Sequence, residues 1–292
     1  MTEAQIGDQT GRQTGKTYTI SDTANWVAFH RAVESARPDA VFRDPLAERL
    51  AGVTGPEIVA RAPKAMRNGW PIIARTVSID EIIATAIAEG CDCVINLAAG
   101  LDTRPYRLDL PKTLTWIEAD LPGLVDEKNR LLANETPRCQ LERVKVDLAD
   151  NAARAAFLDG VTAGRQRVLV LSEGLLMYLD DALVRSLSDD LKRAGVKWWV
   201  SDQISPAVRE MFMSNMQDIL ASAPMHFAPE NGVAFYEALG WRVREVLSSA
   251  EVALRLKRLS WLMTLLMRLP LPQPNPRKLG TARWGAVVWL ER

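Results

Sequence analysis

Apolar residues along the chain gather in short runs, Cys93–Leu97, Thr115–Ala119, Val144–Val146, Val168–Ser172 and Trp198–Ser201, each bounded by charged or turn residues. Runs this short predict strands buried on both faces. The intervals between them are long enough for crossover helices, so the alternation predicts a parallel sheet wrapped on both sides. Helical signals fill those intervals. Ser78 stands three residues before Glu81 in capping-box spacing, and Ile79, Ile82, Ile83, Ala86 and Ile87 then share one helical face until Gly90. Asp180 is placed to cap a helix with Leu183, Leu187 and Leu191 at four-residue spacing, Lys192 and Arg193 in its last turn and Gly195 just beyond.

The flanks of this alternating region differ from it. Residues 1–17 are polar and predict a disordered tail with no secretory segment. Residues 18–77 carry helical patterns such as Trp26, Phe29 and Val33 with a turn at Pro38-Asp39, and predict a helical cap before the sheet. After Ser201 a methionine-rich helix is predicted from Pro206 to Ala223, inside a lid insertion over about 204–230. Two late strand candidates follow, Trp241–Val246 and Trp284–Leu290, and the second is placed to insert into the sheet as a seventh strand. No Gly/Ser linker divides residues 18–292, which read as a single domain. The longest apolar stretch, Leu259 to Leu271, is interrupted by Arg268 and Pro270 and falls short of the about 20 residues that span a bilayer. It is expected to pack on the core or over a pocket, without stable membrane association.

The 36 basic and 36 acidic residues cancel, so no overall field draws the chain to nucleic acid. Cys91, Cys93 and Cys139 are an odd set, and residues two apart on a strand are poorly placed to bridge, so reduced thiols and a cytoplasmic location are expected. No histidine pair, Cys-x-x-Cys or acidic cluster has metal-ligand spacing, and no G-x-S-x-G elbow marks a hydrolase. Candidate chemistry lies instead in Asn96-Leu97-Ala98-Ala99-Gly100-Leu101-Asp102-Thr103-Arg104, which follows the apolar residues Cys93 to Ile95, and in Asp120, which closes the run Thr115 to Ala119. Small residues at a strand end let backbone approach a ligand, and an acid about 20 residues on can accept from ribose hydroxyls. The glycine pattern that cradles a pyrophosphate is missing, which counts against a nicotinamide-dependent oxidoreductase. A nucleoside cofactor without phosphates fits better, and S-adenosylmethionine (SAM) is the obvious one.

Three segments in order, Asn96 to Arg104, Trp116-Ile117-Glu118-Ala119-Asp120-Leu121-Pro122 and Ser172-Glu173-Gly174-Leu175-Leu176-Met177-Tyr178-Leu179, together resemble the leucine carboxyl methyltransferase family, nearest its bacterial branch of polyketide and secondary-metabolite O-methyltransferases. The resemblance implies a Rossmann-like class I methyltransferase, an α/β fold with a seven-stranded, mostly parallel sheet whose last strand is antiparallel. It implies SAM as cofactor, a small-molecule acceptor, and a set of cofactor contacts. Arg75 would meet the SAM carboxylate, with Arg31 as a second contact. Ala98 and Gly100 would lie under the methionine portion, Asp120 would hold the ribose, Asp147 and the Leu148 backbone the adenine, and Glu173 the amino group. Ala98 stands where related sequences place glycine, a change that costs little if the torsions there are ordinary.

Taken without the resemblance, Arg75 reads as a salt-bridged or solvated arginine, Asp102 and Arg104 as a pair within their loop, Tyr178 as packing, and the methionine-rich helix as core. A carboxylate acceptor is already ionised at neutral pH and asks for no general base, which suits a chain with two histidines. The alternatives are a phenolic or alcoholic acceptor, for which His226 is the candidate base, and a non-catalytic SAM-binding protein.

Overall fold

The computed structural model describes residues 19–216, 224–270 and 272–292. The predicted tail and the last part of the predicted 206–223 helix lie outside those residues.

Seven strands form one sheet: β1 (Cys93–Leu97), β2 (Thr115–Asp120), β3 (Gln140–Lys145), β4 (Val168–Ser172), β5 (Trp198–Ile204), β6 (Arg242–Ser248) and β7 (Gly285–Glu291). Their spatial order is β3-β2-β1-β4-β5-β7-β6. The first five pair in parallel, and β7 runs antiparallel between β5 and β6, with Ser201 opposite Val288 and Val246 opposite the same residue. Chain order reverses direction at β1 and β4, so their carboxyl ends flank the crevice where open α/β sheets bind ligands.

Every residue of β1 and β4 is buried, because helices cover both faces. Alternation then sorts side chains between two cores. Trp199 joins Cys93, Ile95, Val170, Tyr236 and Trp241 on one face, and Trp198 joins Val94, Trp116, Leu169, Ile79 and Ile82 on the other. Indole nitrogens are anchored where a hydroxyl is near: Trp199 Nε1 donates to Ser172 Oγ at 2.8 Å and Trp241 Nε1 to Ser188 Oγ at 2.8 Å. The three cysteines are free and buried.

Two local expectations are corrected. Strand β3 spans Gln140–Lys145, not Val144–Val146: it lies at the sheet edge, where one side needs no apolar residue, and its polar positions hid it. Ser78 is no N-cap. It sits within the helix Trp70–Ala88 and its hydroxyl donates to the Ala74 carbonyl at 2.8 Å, while Gly69 takes the N-cap position. That extended helix carries Arg75 to the sheet's carboxyl edge. The other helix signals hold, with Asp180 accepting from Leu183 N–H at 2.8 Å at the head of Asp181–Arg193.

The methionine-rich segment is helical over Pro206–Asn215, begun by Ser205, whose Oγ accepts from Val208 N–H. The Trp261–Met267 helix sets Met263, Leu266 and Met267 along a cavity, while Trp261, Leu262, Leu265 and Leu266 itself are exposed. Among the described residues no helix is long and apolar enough to cross a membrane.

Candidate functional site

The carboxyl edge of β1 sets the geometry. Ala98 and Gly100 both have left-handed backbone, φ +51° and +50°. The torsions at Ala98 are therefore not ordinary, and its methyl carries a strain of about 1–2 kcal/mol that glycine would avoid. Ala98→Gly relieves that strain but makes the unfolded chain freer by about 0.4–1 kcal/mol, so a net gain between about 0 and about 1.6 kcal/mol is expected. A urea midpoint that falls would count against the strained geometry.

Those turns bring the Gly100 N–H within 2.7 Å of Asp120 Oδ2, while Asp120 Oδ1 accepts from Leu121 N–H at 2.8 Å. Burial nonetheless raises the Asp120 pKa, with the two N–H donors offsetting only part of that effect. A carboxylate in this condition gains from additional donors.

Behind this edge runs a chain of ion pairs. Arg107 Nη1 lies 2.7 Å from Asp80, and Arg104 Nε lies 2.7 Å from the same carboxylate. Arg104 Nη1 meets Asp102 at 2.9 Å and Glu173 at 2.7 Å. Arg75 Nε lies 2.8 Å from Glu173, and its Nη1 lies 2.6 Å from Asp202. Asp202 in turn accepts from Gly174 N–H at 2.7 Å, which ties the ends of β5 and β4 together. Burial acts to raise the Glu173 pKa, but Arg104 and then Arg75 outweigh it and hold the carboxyl below its usual range. The same balance, with Arg104 the largest opposing charge, holds Asp102 far down. Three guanidinium groups thus face four carboxylates, so the chain of pairs carries one surplus negative charge.

The residues named from sequence do not all meet in the expected way. Gly100, Asp120, Asp147, Leu148, Glu173, Arg75, Arg31 and Ala98 all line one cavity of about 1030 Å³. Arg75 and Glu173, expected to hold opposite charges of a ligand, also hold each other. Arg31 is committed to Asp44 at 2.9 Å and to the Leu101 carbonyl at 2.6 Å, which fixes the first helix, Ile20–Ser35, to the loop after β1. Asp147 accepts from Ala149 N–H at 2.9 Å, and the Leu148 carbonyl accepts from Arg154 at 2.8 Å. The Asp102–Arg104 pair forms as expected. What sequence reading missed is its continuation to Asp80, Arg107 and Asp202, residues up to 127 positions apart in the Arg75–Asp202 pair.

Neither histidine lines the cavity. His226 is exposed, with its backbone N–H donating to Met177 O at 2.7 Å and its carbonyl accepting from Arg209 at 2.8 Å. His30 is buried, accepts from Trp26 Nε1 at 2.7 Å, and is pushed down to about 4 by that burial. It packs so tightly on Gly69 that a Cβ there would come within 2.2 Å of Nδ1. Among the described residues no group of three or more His, Cys, Asp or Glu side chains is placed to hold a metal.

The remaining cavity wall is largely apolar, with Trp26, Met211, Phe212, Met225, Met263 and Leu266 among its residues. Methionines suit a wall that adapts to a bulky ligand. The volume matches the upper end of small-molecule sites, about 1,000 Å³, and leaves room for a cofactor and a second molecule.

Comparison with known proteins agrees with this architecture. The profile described as leucine carboxyl methyltransferase matches residues 24–192. A protein of Frankia alni named as an S-adenosyl-L-methionine-dependent methyltransferase is 32% identical over 234 residues, covering 75% of this chain and 82% of the relative. One of Mycobacterium avium, named in the same way, is 32% identical over 273 residues, 83% of this chain and 87% of its own length. In fold the chain is similar to a methyltransferase crystal structure from Thermobifida fusca, with a TM-score of 0.55 and 13% identity over 99% of both chains.

Proposed function

The chain belongs to the leucine carboxyl methyltransferase family of SAM-dependent enzymes, and on that premise we propose that it methylates the carboxylate of a small molecule, giving a methyl ester. The observation that carries the choice of acceptor is which titratable groups surround the cavity. A phenol or alcohol must lose a proton as it reacts, and a positioned base within hydrogen-bond reach would take it. Both histidines lie off the cavity, and the lining carboxylates Asp102, Asp120, Asp147, Glu173 and Asp202 are each engaged by an arginine or an N–H. Burial pushes the Tyr178 hydroxyl up, away from the ionised form a base would need. A carboxylate arrives without a proton to remove.

The residues present fit the cofactor. The surplus negative charge of the arginine–carboxylate chain matches a ligand that is cationic at both sulfur and amine, and the Asp120 carboxylate has capacity for hydroxyl donors. Asp120 would hold the ribose hydroxyls, Asp147 and the Leu148 N–H the adenine, and Glu173 the amine. Arg75, pinned between Glu173 and Asp202, would offer its Nη2, which among the described residues no acceptor engages, to the cofactor carboxylate. Arg31 would act from behind, by holding the loop that carries Leu101. When bound, SAM supplies a methyl carbon whose bond to sulfur breaks, with the electron pair left on sulfur, as the bond to the acceptor oxygen forms. The apolar wall keeps water from a step in which opposite charges cancel.

Enzyme incubated with a metabolite extract and methyl-labelled SAM tests the reading. The expected label is released as methanol in mild alkali, as an ester requires. A base-stable label, with a large rate loss in His226→Ala at unchanged cofactor affinity, would favour hydroxyl methylation instead, and no transfer at all would favour a binding protein.

A further inference from the structure

Among the described residues five arginines line the cavity: Arg31, Arg75, Arg104, Arg107 and Arg283. Four of them are bound to carboxylates, as described above. Among the described residues Arg283 has no carboxylate partner and no hydrogen bond, which sets it apart from the others. Arg283 is exposed, and the backbone is fixed at the residue after it. Trp284 follows it and is clamped to Ser205, with Ser205 N–H donating to the Trp284 carbonyl at 2.9 Å and Trp284 N–H to Ser205 Oγ at 3.2 Å. Because β7 is antiparallel, its first residues lie at the same sheet edge as the last residues of β5.

A second polar group stands at that place. Gln203, on β5 opposite Ala286, lines the same cavity and is only 3% exposed. Among the described residues neither its Nε2 nor its Oε1 has a hydrogen-bond partner. Buried amides are normally satisfied, and one left open at a cavity wall can be completed by a molecule that enters that cavity. The two residues are complementary in what they lack. Arg283 offers donors to an anion, while the Gln203 amide offers the N–H groups of Nε2 and takes a donor at Oε1. The wall beyond them is apolar, with Met211, Phe212, Met263 and Leu266.

We propose that Arg283 and Gln203 form the acceptor subsite, which takes an acid with an apolar body: its carboxylate accepts from the Arg283 guanidinium and Gln203 Nε2, and a hydroxyl near that carboxylate donates to Gln203 Oε1. The inference rests on the carboxyl-methylation reading and names the acceptor class for it. The groups that would hold the cofactor lie at the ends of β1 to β4 and on the Trp70–Ala88 helix, whereas this subsite lies between the end of β5 and the residues leading into β7, so cofactor and acceptor affinities are separable.

The test is calorimetry on the full chain saturated with S-adenosylhomocysteine, titrated with decanoic acid, 3-hydroxydecanoic acid and decanol. The parent protein is expected to bind the acids at least tenfold more tightly than the alcohol, and the hydroxy acid more tightly than the plain acid. Arg283→Met should remove the preference for acid over alcohol, and Arg283→Lys should restore part of it. Gln203→Leu should remove the advantage of the hydroxy acid. Affinity for S-adenosylhomocysteine should stay unchanged in all three variants. Failure of both acids to bind the parent, an acid preference that survives Arg283→Met, or a loss of S-adenosylhomocysteine affinity in the variants overturns the subsite. A base-stable methyl product alongside Arg283-dependent acid binding would instead remove the ester reading and leave the subsite standing as the anchor of a hydroxy acid.

Discussion

Arg104→Met is expected to lower the unfolding free energy by about 3–5 kcal/mol, the cost of leaving a buried ion pair without one partner. The buried figure applies, and not the about 0.2–1 kcal/mol of surface pairs, because the Arg104 side chain is 3% exposed and serves Asp80, Asp102 and Glu173 together. The pH dependence gives a second check. The folded-state pKa values of Asp102 and Glu173 are depressed, so their contribution is complete above the unfolded carboxylate range, near about 4, and is lost as pH falls through the folded values. The deficit of the variant should therefore be widest near neutrality and shrink in acid. Urea unfolding at several pH values measures both, and a constant deficit of less than about 1 kcal/mol would show that these charges are solvated, as surface pairs are.

Asp120→Ala is expected to weaken SAM binding by about 1–3 kcal/mol, roughly 5- to 150-fold, because the hydroxyls it would bind lose an acceptor in a partly dry site. The same carboxylate accepts from Gly100 N–H and Leu121 N–H, so the variant also frees the left-handed turn at Gly100. Calorimetry on folded protein separates the two effects from simple unfolding. Asp120→Asn should fall between, since one carbonyl oxygen still accepts. Unchanged affinity in Asp120→Ala would remove Asp120 from the cofactor site.

The strands buried on both faces were readable because their environment is uniform along their length: β1 and β4 coincide with the apolar runs that announced them. The edge strand β3 was misplaced because partial exposure admits Gln140, Glu142 and Arg143, which carry no apolar signal. A capping box at Ser78 was read where the helix already ran, since a serine hydroxyl bonds equally well to the carbonyl four residues back. The torsion at Ala98 was likewise invisible, for sequence gives residue type and not φ.

The sequence by itself determined the order of strands and helices, the loop from Asn96 to Arg104, and the acids Asp120 and Glu173 at strand ends, because hydrophobic period and short motifs are local properties. Tertiary structure alone decided the partners of those groups. It joined Arg75 to Asp202 across 127 positions, set Arg104 among three carboxylates, moved both histidines off the cavity and brought Arg283 and Gln203 to one edge through the antiparallel insertion of β7. Coulombic and hydrogen-bond energies depend on distance in space, and in a crossed-over parallel sheet neighbouring strand ends lie far apart along the chain, so no local pattern encodes which charge meets which.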